Sequence, residues 1–254
     1  MTTPVAALAP WLPLVLLLAT MPIYALRTRG RPRDANVAGR PATLLLGYWV
    51  RDWMIWLLAP LERLLVRWRV SPDALNYAGG VLGLLAGAAF IAHQLPLAAW
   101  LIATGGISDI LDGRVARARG IASPYGAFVD STVDRFAETF TFVGVAWYLA
   151  GAAWMVAATV LALGGSMLVS YTRAQGAALG VDYGGGLAQR AERVVVLAIA
   201  TLLESTLSLR SGWVPGAFLG KAIALIAVAS ISTAIYRMII IMRTLRETEA
   251  GARR

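Results

Sequence analysis

Long apolar stretches with few charges run through this chain, and they limit it more than any other feature. A run of about 18 or more residues almost free of charge reads as a helix crossing a membrane. Such runs are expected at 5–26, 73–92, 96–117, 124–149, 152–178, 188–208 and 213–242. The 254 residues are 58% hydrophobic, whereas a soluble domain of this size is nearer half apolar and breaks up its apolar residues with charge. The expectation is an all-α polytopic membrane bundle with no separate soluble domain.

Residues 5–26 have no basic residue ahead of the apolar run and no small-x-small cleavage site before Arg27, so they read as a retained helix rather than a signal peptide. A basic connector follows, with Arg27, Arg29, Arg31, Arg33 and Arg40. Within 44–69, Trp49, Trp53, Trp56 and Trp68 alternate with Arg51, Asp52, Arg63, Arg67 and Arg69, while Leu57, Leu61, Leu64 and Leu65 recur at helical spacing. This pattern suits an amphipathic helix in the membrane interface, with a tilted span as the other reading. The expected organisation is residues 1–40 as an extra helix and connector, then a unit over 41–254. That unit has an interfacial helix at 41–70, six spans within 71–245 and a tail at 246–254.

The net charge is +9, and it is unevenly distributed. The turns near His93 and Gly151 carry no Lys or Arg, whereas the connector, Arg114, Arg117, Arg119, Arg173, Arg190, Arg193 and the tail from Arg243 lie on the other side. Basic residues collect in the cytoplasm, which places the amino terminus outside and the tail inside a cell (inner) membrane. Because the Arg residues flank apolar helices and form no basic module of their own, nucleic acid is not an expected partner. Without cysteine there are no disulfides, thiolate metal sites or iron–sulfur clusters. His93 reads as an exposed turn residue.

Two segments carry the candidate chemistry. Residues 108–117 read Ser-Asp-Ile-Leu-Asp-Gly-Arg-Val-Ala-Arg, and 123–134 read Ser-Pro-Tyr-Gly-Ala-Phe-Val-Asp-Ser-Thr-Val-Asp. Asp109 and Asp112 are three apart and Asp130 and Asp134 four apart, so each pair shares a helix face. Folded as a hairpin turning near Ile121, the two helices would hold Asp112 and Asp130 at one depth, with Asp134 a turn deeper, and gather the four carboxylates just inside the cytoplasmic membrane surface. The small Ala116 and Gly126 would face each other and let the backbones approach. Ionised groups at that depth need partners, and hard oxygen ligands suit magnesium or manganese acting on substrate phosphates.

Asp109-x-x-Asp112-Gly113-x-x-Ala116-Arg117, then eight residues, Gly126, three residues, Asp130, three residues and Asp134 resembles the signature of the CDP-alcohol phosphotransferase (CDP-alcohol phosphatidyltransferase) family, with every signature position filled. The resemblance covers about residues 50–245. It implies a transferase that moves a phosphatidyl-type group from a CDP-linked lipid, CDP-diacylglycerol, to the hydroxyl of an alcohol and releases CMP. It also implies two ions of Mg2+ or Mn2+ and a homodimer in the lipid bilayer. Asp109, Asp112 and Asp130 would be metal ligands. Asp134 would be the general base and would also touch a metal. Gly113, Arg117 and Ser123 would meet the CDP-lipid, with Ser123 also capping its helix ahead of Pro124. Pro72, Asp73, Ala74 and Leu75 resemble the family's second nucleotide-binding segment, again behind a Ser-Pro pair, Ser71-Pro72.

Residues 170–173, Ser-Tyr-Thr-Arg, and 189–193, Gln-Arg-Ala-Glu-Arg, resemble segments of the phosphatidylinositol-phosphate synthase branch. There a Ser, a Lys and two Arg hold inositol phosphate. Ser170, Arg193 and Arg237 match, whereas Arg173 stands at the Lys position, and Gln175 and Gln189 stand where acidic residues are usual. A phosphorylated acceptor is therefore expected, with glycerol 3-phosphate, serine or another alcohol as alternatives. The competing classes are a cation-coupled transporter, which should carry polar groups on both sides of the midplane, and a silent membrane scaffold.

Overall fold

The computed structural model describes residues 8–28, 47–186, 189–209 and 212–252. A 3-10 turn, Ala9–Trp11, leads into α1 (Leu12–Leu18) and α2 (Thr20–Arg27). Then come α3 (Tyr48–Arg67), α4 (Pro72–Ile91), α5 (Leu95–Ala118), α6 (Pro124–Tyr148), α7 (Ala153–Ala178), α8 (Arg190–Leu207) and α9 (Ala217–Ala252). Each expected span is a helix. The expected boundary at 40/41 lies outside the described residues, as do Arg29, Arg31, Arg33, Arg40, Arg253 and Arg254 of the basic segments.

Five segments among the described residues are long and apolar enough to cross a membrane: Ala9–Arg27, α4, α5, α7 and α9. The other two expected spans, α6 and α8, carry too much charge to stand out. Asp134, Arg135 and Glu138 lie on α6, and Arg190, Glu192, Arg193 and Glu204 on α8. Most of that charge points inward: Glu192 is 3% exposed, Arg193 5% and Glu204 0%. The outer faces carry exposed apolar side chains such as Leu84, Leu85, Val160, Leu161, Leu225 and Val228, as a lipid-facing surface requires. The interfacial helix α3 is not among the five. It is tied to the end of α5, where Arg114 Nε donates to Glu62 Oε2 at 2.6 Å and Arg119 Nη1 donates to the Val70 carbonyl at 2.9 Å.

The expected α5–α6 hairpin does not form as a packed pair. The two helices follow one another through a short turn but scarcely touch, and α4 packs along both. The small residues that allow close approach are on α4. A Cβ on Gly83 would lie 2.6 Å from Ala137 Cα, and one on Gly87 would collide with the Phe140 carbonyl. Gly144 on α6 faces Gly87 just as tightly. Gly126, expected to serve this purpose, has only Ser123 Oγ near its missing Cβ, at 3.5 Å. On the far side α7 packs along α9, where a Cβ on Gly165 would lie 2.9 Å from Ser230 Cβ.

α9 starts later than expected because Gly212 and Gly216 take positive φ and hold a turn ahead of it. It also ends later: 243–252 continue the helix where a separate tail from 246 was expected. The buried Glu204 carboxylate stabilises the start of α9. It accepts from Trp213 Nε1 at 3.0 Å and from the amides of Gly216, Phe218 and Leu219 at 2.7, 3.0 and 3.1 Å. A buried carboxylate is affordable when its lone pairs are filled in this way and it meets the positive end of a helix. The main apolar core, with Phe90, Ala98, Val145, Leu149, Leu219 and Ile223, lies toward this end of the bundle, away from the aspartates. His93 is exposed, as expected, with its ring against Tyr148.

Candidate metal and active site

The last turns of α5 carry Asp109 and Asp112, and the first turns of α6 carry Asp130 and Asp134. Carboxylate oxygens of Asp109, Asp112 and Asp130 lie within 4.8 Å of one another. The side-chain amide of Asn76, on α4 between them, joins two of the three. With its nitrogen turned toward them, it donates to Asp112 Oδ2 at 2.7 Å and Asp130 Oδ1 at 3.1 Å. The Gly113 amide donates to Asp112 Oδ1. A half-buried trio of hard oxygen donors fits a divalent metal such as magnesium or manganese, and the low-polarity surroundings make an unneutralised trio costly.

Asp134 stands outside the trio, held by guanidinium groups. Arg190 Nη2 is 2.6 Å from Asp134 Oδ1, and Arg135 Nη2 is 3.9 Å from Oδ2. The other arm of Arg190 meets Asp109, Nη1 to Oδ1 at 2.6 Å. Behind Asp134 on the same helix, Glu138 pairs with Arg135 at 3.0 Å and Arg193 at 3.3 Å, and it accepts from Ser166 Oγ. A cavity opens here with about 690 Å³ of space, counted out to solvent. Asp109, Asp112, Asp134, Glu138, Arg190 and Arg193 line one part of it, and Gly79, Gly83, Leu101, Gly105 and Leu197 line another.

The residues expected at a nucleotide lie around the same rim. Arg117 folds back over Gly113, where a Cβ would lie 3.1 Å from Arg117 Nη1. Ser123 Oγ accepts from the Gly126 amide at 3.1 Å and so caps α6, as expected. Ser71 does not repeat this device: it precedes Pro72 at the start of α4 but makes no side-chain cap bond. Pro72, Asp73, Ala74 and Leu75 form the first turn of α4. Leu75 lines the cavity, and its carbonyl accepts from Ser108 Oγ at 2.8 Å.

The four residues expected at the acceptor are divided. Arg193 lines the cavity, whereas Ser170, Arg173 and Arg237 are not among the residues that line it. Ser170 Oγ accepts from Arg135 Nη1 at 2.8 Å. Arg173 pairs with Asp182 at 3.0 Å, both exposed, and that hydrogen bond holds the Asp182 carboxyl below the usual carboxylate range. Arg237 is buried and donates to the carbonyls of Gly185, Val169 and Gly184 at 2.7, 2.8 and 2.9 Å. Arg173, Arg193 and Arg237 each already have a protein acceptor, so no bound anion is needed to offset them.

Sequence reasoning passed over four site residues: Asn76, Arg135, Glu138 and Arg190. Signals existed for two. Glu138 lies four residues past Asp134 on the same face, and Asn76 is a polar residue near the start of an apolar span. Nothing local marks Arg190, because its partners are on other helices.

The comparisons agree with this geometry. The family model for CDP-alcohol phosphatidyltransferase matches residues 69–236. A phosphatidylinositol phosphate synthase of Streptomyces avermitilis is 34% identical over 227 residues, spanning 84% of this chain and 91% of that protein. An archaetidylinositol phosphate synthase of Methanothermobacter thermautotrophicus is 32% identical, over 68% of this chain and 84% of that one. The crystal structure of Mycobacterium tuberculosis phosphatidylinositol phosphate synthase with CDP-DAG bound superposes with a TM-score of 0.62 at 29% identity, covering 72% of this chain and 92% of that one. A second structure of that enzyme, with manganese and citrate, matches with the same TM-score and identity, over 72% and 88% of the two chains. With two thirds of its length inside the family model and the signature carboxylates gathered at one site, the chain belongs to the CDP-alcohol phosphatidyltransferase family.

Proposed function

We propose that this chain is a phosphatidylinositol-phosphate synthase: it transfers the phosphatidyl group of CDP-diacylglycerol to a hydroxyl of inositol phosphate and releases CMP. The observation that carries this reading is the carboxylate trio beside an Arg-lined cavity, in a chain 34% identical to a phosphatidylinositol phosphate synthase over 84% of its length. In the reaction the acceptor oxygen bonds to the β-phosphorus. The bond from that phosphorus to the bridging diphosphate oxygen breaks, and its electron pair leaves with CMP. The acceptor's proton goes to Asp134, whose carboxylate faces the cavity beside the trio. Asp109, Asp112 and Asp130 would hold magnesium or manganese, which when bound neutralises the diphosphate. Asn76 fixes the orientation of Asp112 and Asp130. Gly113, Arg117, Ser123 and the Pro72–Leu75 turn would receive the nucleotide.

The same reading includes two ions, a homodimer, and a site at the cytoplasmic face of the cell membrane with the amino terminus outside. It treats residues 41–254 as the catalytic unit. For the acceptor, Arg193 lines the cavity, and Ser170, Arg173 and Arg237 are outside its lining. An incoming phosphate would exchange with the Asp182 carboxylate at Arg173 and with loop carbonyls at Arg237, forming charge-assisted bonds.

The test is CMP release by purified protein given CDP-diacylglycerol, Mg2+ or Mn2+, and a panel of inositol phosphate, inositol, serine and glycerol 3-phosphate. Inositol phosphate alone should support turnover, and a chelator should stop it. Equal use of unphosphorylated inositol or serine would refute the acceptor assignment.

A further inference from the structure

Arg190 is the first residue of α8, and its position is tightly set. Gln189 and Glu192 form a reciprocal capping box there, and Arg51 on α3 donates to Gln189 Oε1 at 3.1 Å. The guanidinium is therefore delivered from a third helix to two carboxylates on α5 and α6, helices that scarcely touch each other. One nitrogen meets Asp109 and the other Asp134, each at 2.6 Å. This is a planar fork used as a bridge, which the point charge of a lysine does not reproduce. Asp109 is also a member of the trio. Arg190 thus binds one member of the trio and the one signature carboxylate outside it.

The local charge balance has a consequence. Glu138 shares Arg135 and Arg193, and Asp109 and Asp134 share Arg190, so Glu138 and the four signature aspartates are counted against Arg135, Arg190 and Arg193. With every carboxylate ionised, five negative charges against three positive ones leave two, the charge of a single divalent ion. With Arg190 in place, the site is balanced by one ion. A second ion between Asp109 and Asp134 would have to enter where the guanidinium lies.

We propose that Arg190 is a built-in counter-cation that holds the place of a second metal ion, so that the ions load in order. The first goes to Asp109, Asp112 and Asp130 while the Arg190 bridge persists. The second binds between Asp109 and Asp134 only by displacing that bridge, most readily when a diphosphate arrives with charge of its own. Without substrate, Arg190 holds Asp134 in place at the cavity wall. This inference rests on the metal-binding reading of the trio given above.

The experiment is a Mn2+ titration of the purified full-length protein without nucleotide, following free Mn2+ by electron paramagnetic resonance. Wild type, Arg190→Gln, Arg190→Lys and Asp112→Ala are compared. Wild type should bind one ion tightly and a second weakly. Arg190→Gln should tighten the second ion by about tenfold or more, the equivalent of one lost charge-assisted competitor, and leave the first close to wild type. Arg190→Lys, which keeps the charge but cannot span both carboxylates, should fall between. Two equivalent ions in wild type, or a second ion unmoved in both Arg190 variants, would overturn the proposal while the metal reading stands. If wild type binds no ion that Asp112→Ala loses, the metal reading fails and this inference with it.

Discussion

Asp134 and its three neighbours differ in what surrounds them rather than in chemistry. Asp109, Asp112 and Asp130 face one another, whereas Asp134 stands outside that trio between Arg190 and Arg135. An asparagine at 134 keeps the size and the hydrogen bond to Arg190 but cannot take a proton. Asp134→Asn should therefore lower turnover by about two to four orders of magnitude, the span of general-base catalysis, while CDP-diacylglycerol still binds. Single-turnover CMP release together with equilibrium binding of the CDP-lipid checks both halves, and near-wild-type turnover would remove Asp134 from the mechanism. The four aspartates were legible because their spacing is a property of one helix at a time. The role of Arg190 was not, and Asn76 was legible only as a polar residue in an apolar span, because each gains its meaning from helices distant in sequence. A guanidinium at the start of a span looks like any residue snorkelling to the surface until α8 is set beside α5.

The same limit applies to the helices. Their existence and most of their ends follow from apolar length and from Pro, Gly and Ser at the boundaries. Which helix packs on which does not. Adjacency in sequence suggested that α5 and α6 pack as a hairpin, but α4 lies against both, and its Gly83 and Gly87 make the close contact with α6. The carboxylates converge because two helices lean on a third. Leucine at Gly87 would meet the Phe140 backbone, which cannot step aside as a flexible side chain would. Overpacking of this kind costs about 1–3 kcal/mol or more, and it would also move Asp130 and Asp134 away from Asp112. Gly126→Ala, by contrast, places its methyl 3.5 Å from Ser123 Oγ, an ordinary contact. Thermal unfolding in detergent, run beside CMP release, should show Gly87→Leu losing both stability and activity and Gly126→Ala close to wild type. The reverse order would restore the hairpin.

At the scale of the whole molecule, the cavity is a junction of separately packed parts. The first helices dock through indoles: Trp11 Nε1 to Thr206 Oγ1 at 2.8 Å, Trp100 Nε1 to the Pro10 carbonyl at 3.0 Å and Trp53 Nε1 to Thr20 Oγ1 at 2.9 Å. The α4–α6 group supplies the carboxylates, and α8 supplies Arg190 and Arg193, the latter held by Ser166 Oγ of α7. The loop between α7 and α8 is held to α9 by the bonds of Arg237 to the Gly184 and Gly185 carbonyls, and to α7 by the Arg173–Asp182 pair. If the acceptor brings a phosphate, Asp182 is its internal competitor at Arg173. Asp182→Asn should then lower the acceptor KM severalfold and leave the CDP-diacylglycerol KM unchanged. Arg193→Ala should act oppositely, because it leaves Glu138 short of one cation as well as removing a phosphate ligand. The pH dependence has a definite sign. The Asp182 carboxyl lies below its ordinary value when folded, so the pair is fully formed above the unfolded carboxylate pKa and is lost as pH falls through the lowered one. Near neutral pH, Asp182 is therefore charged and competing, and the advantage of Asp182→Asn should be fully present there and fade in acid. Both groups are exposed and partly screened, which keeps the expected change to severalfold rather than orders of magnitude. Steady-state CMP release with each substrate varied in turn reads the effect. An unchanged acceptor KM in Asp182→Asn, with an unchanged profile in acid, would show that the phosphate does not reach Arg173.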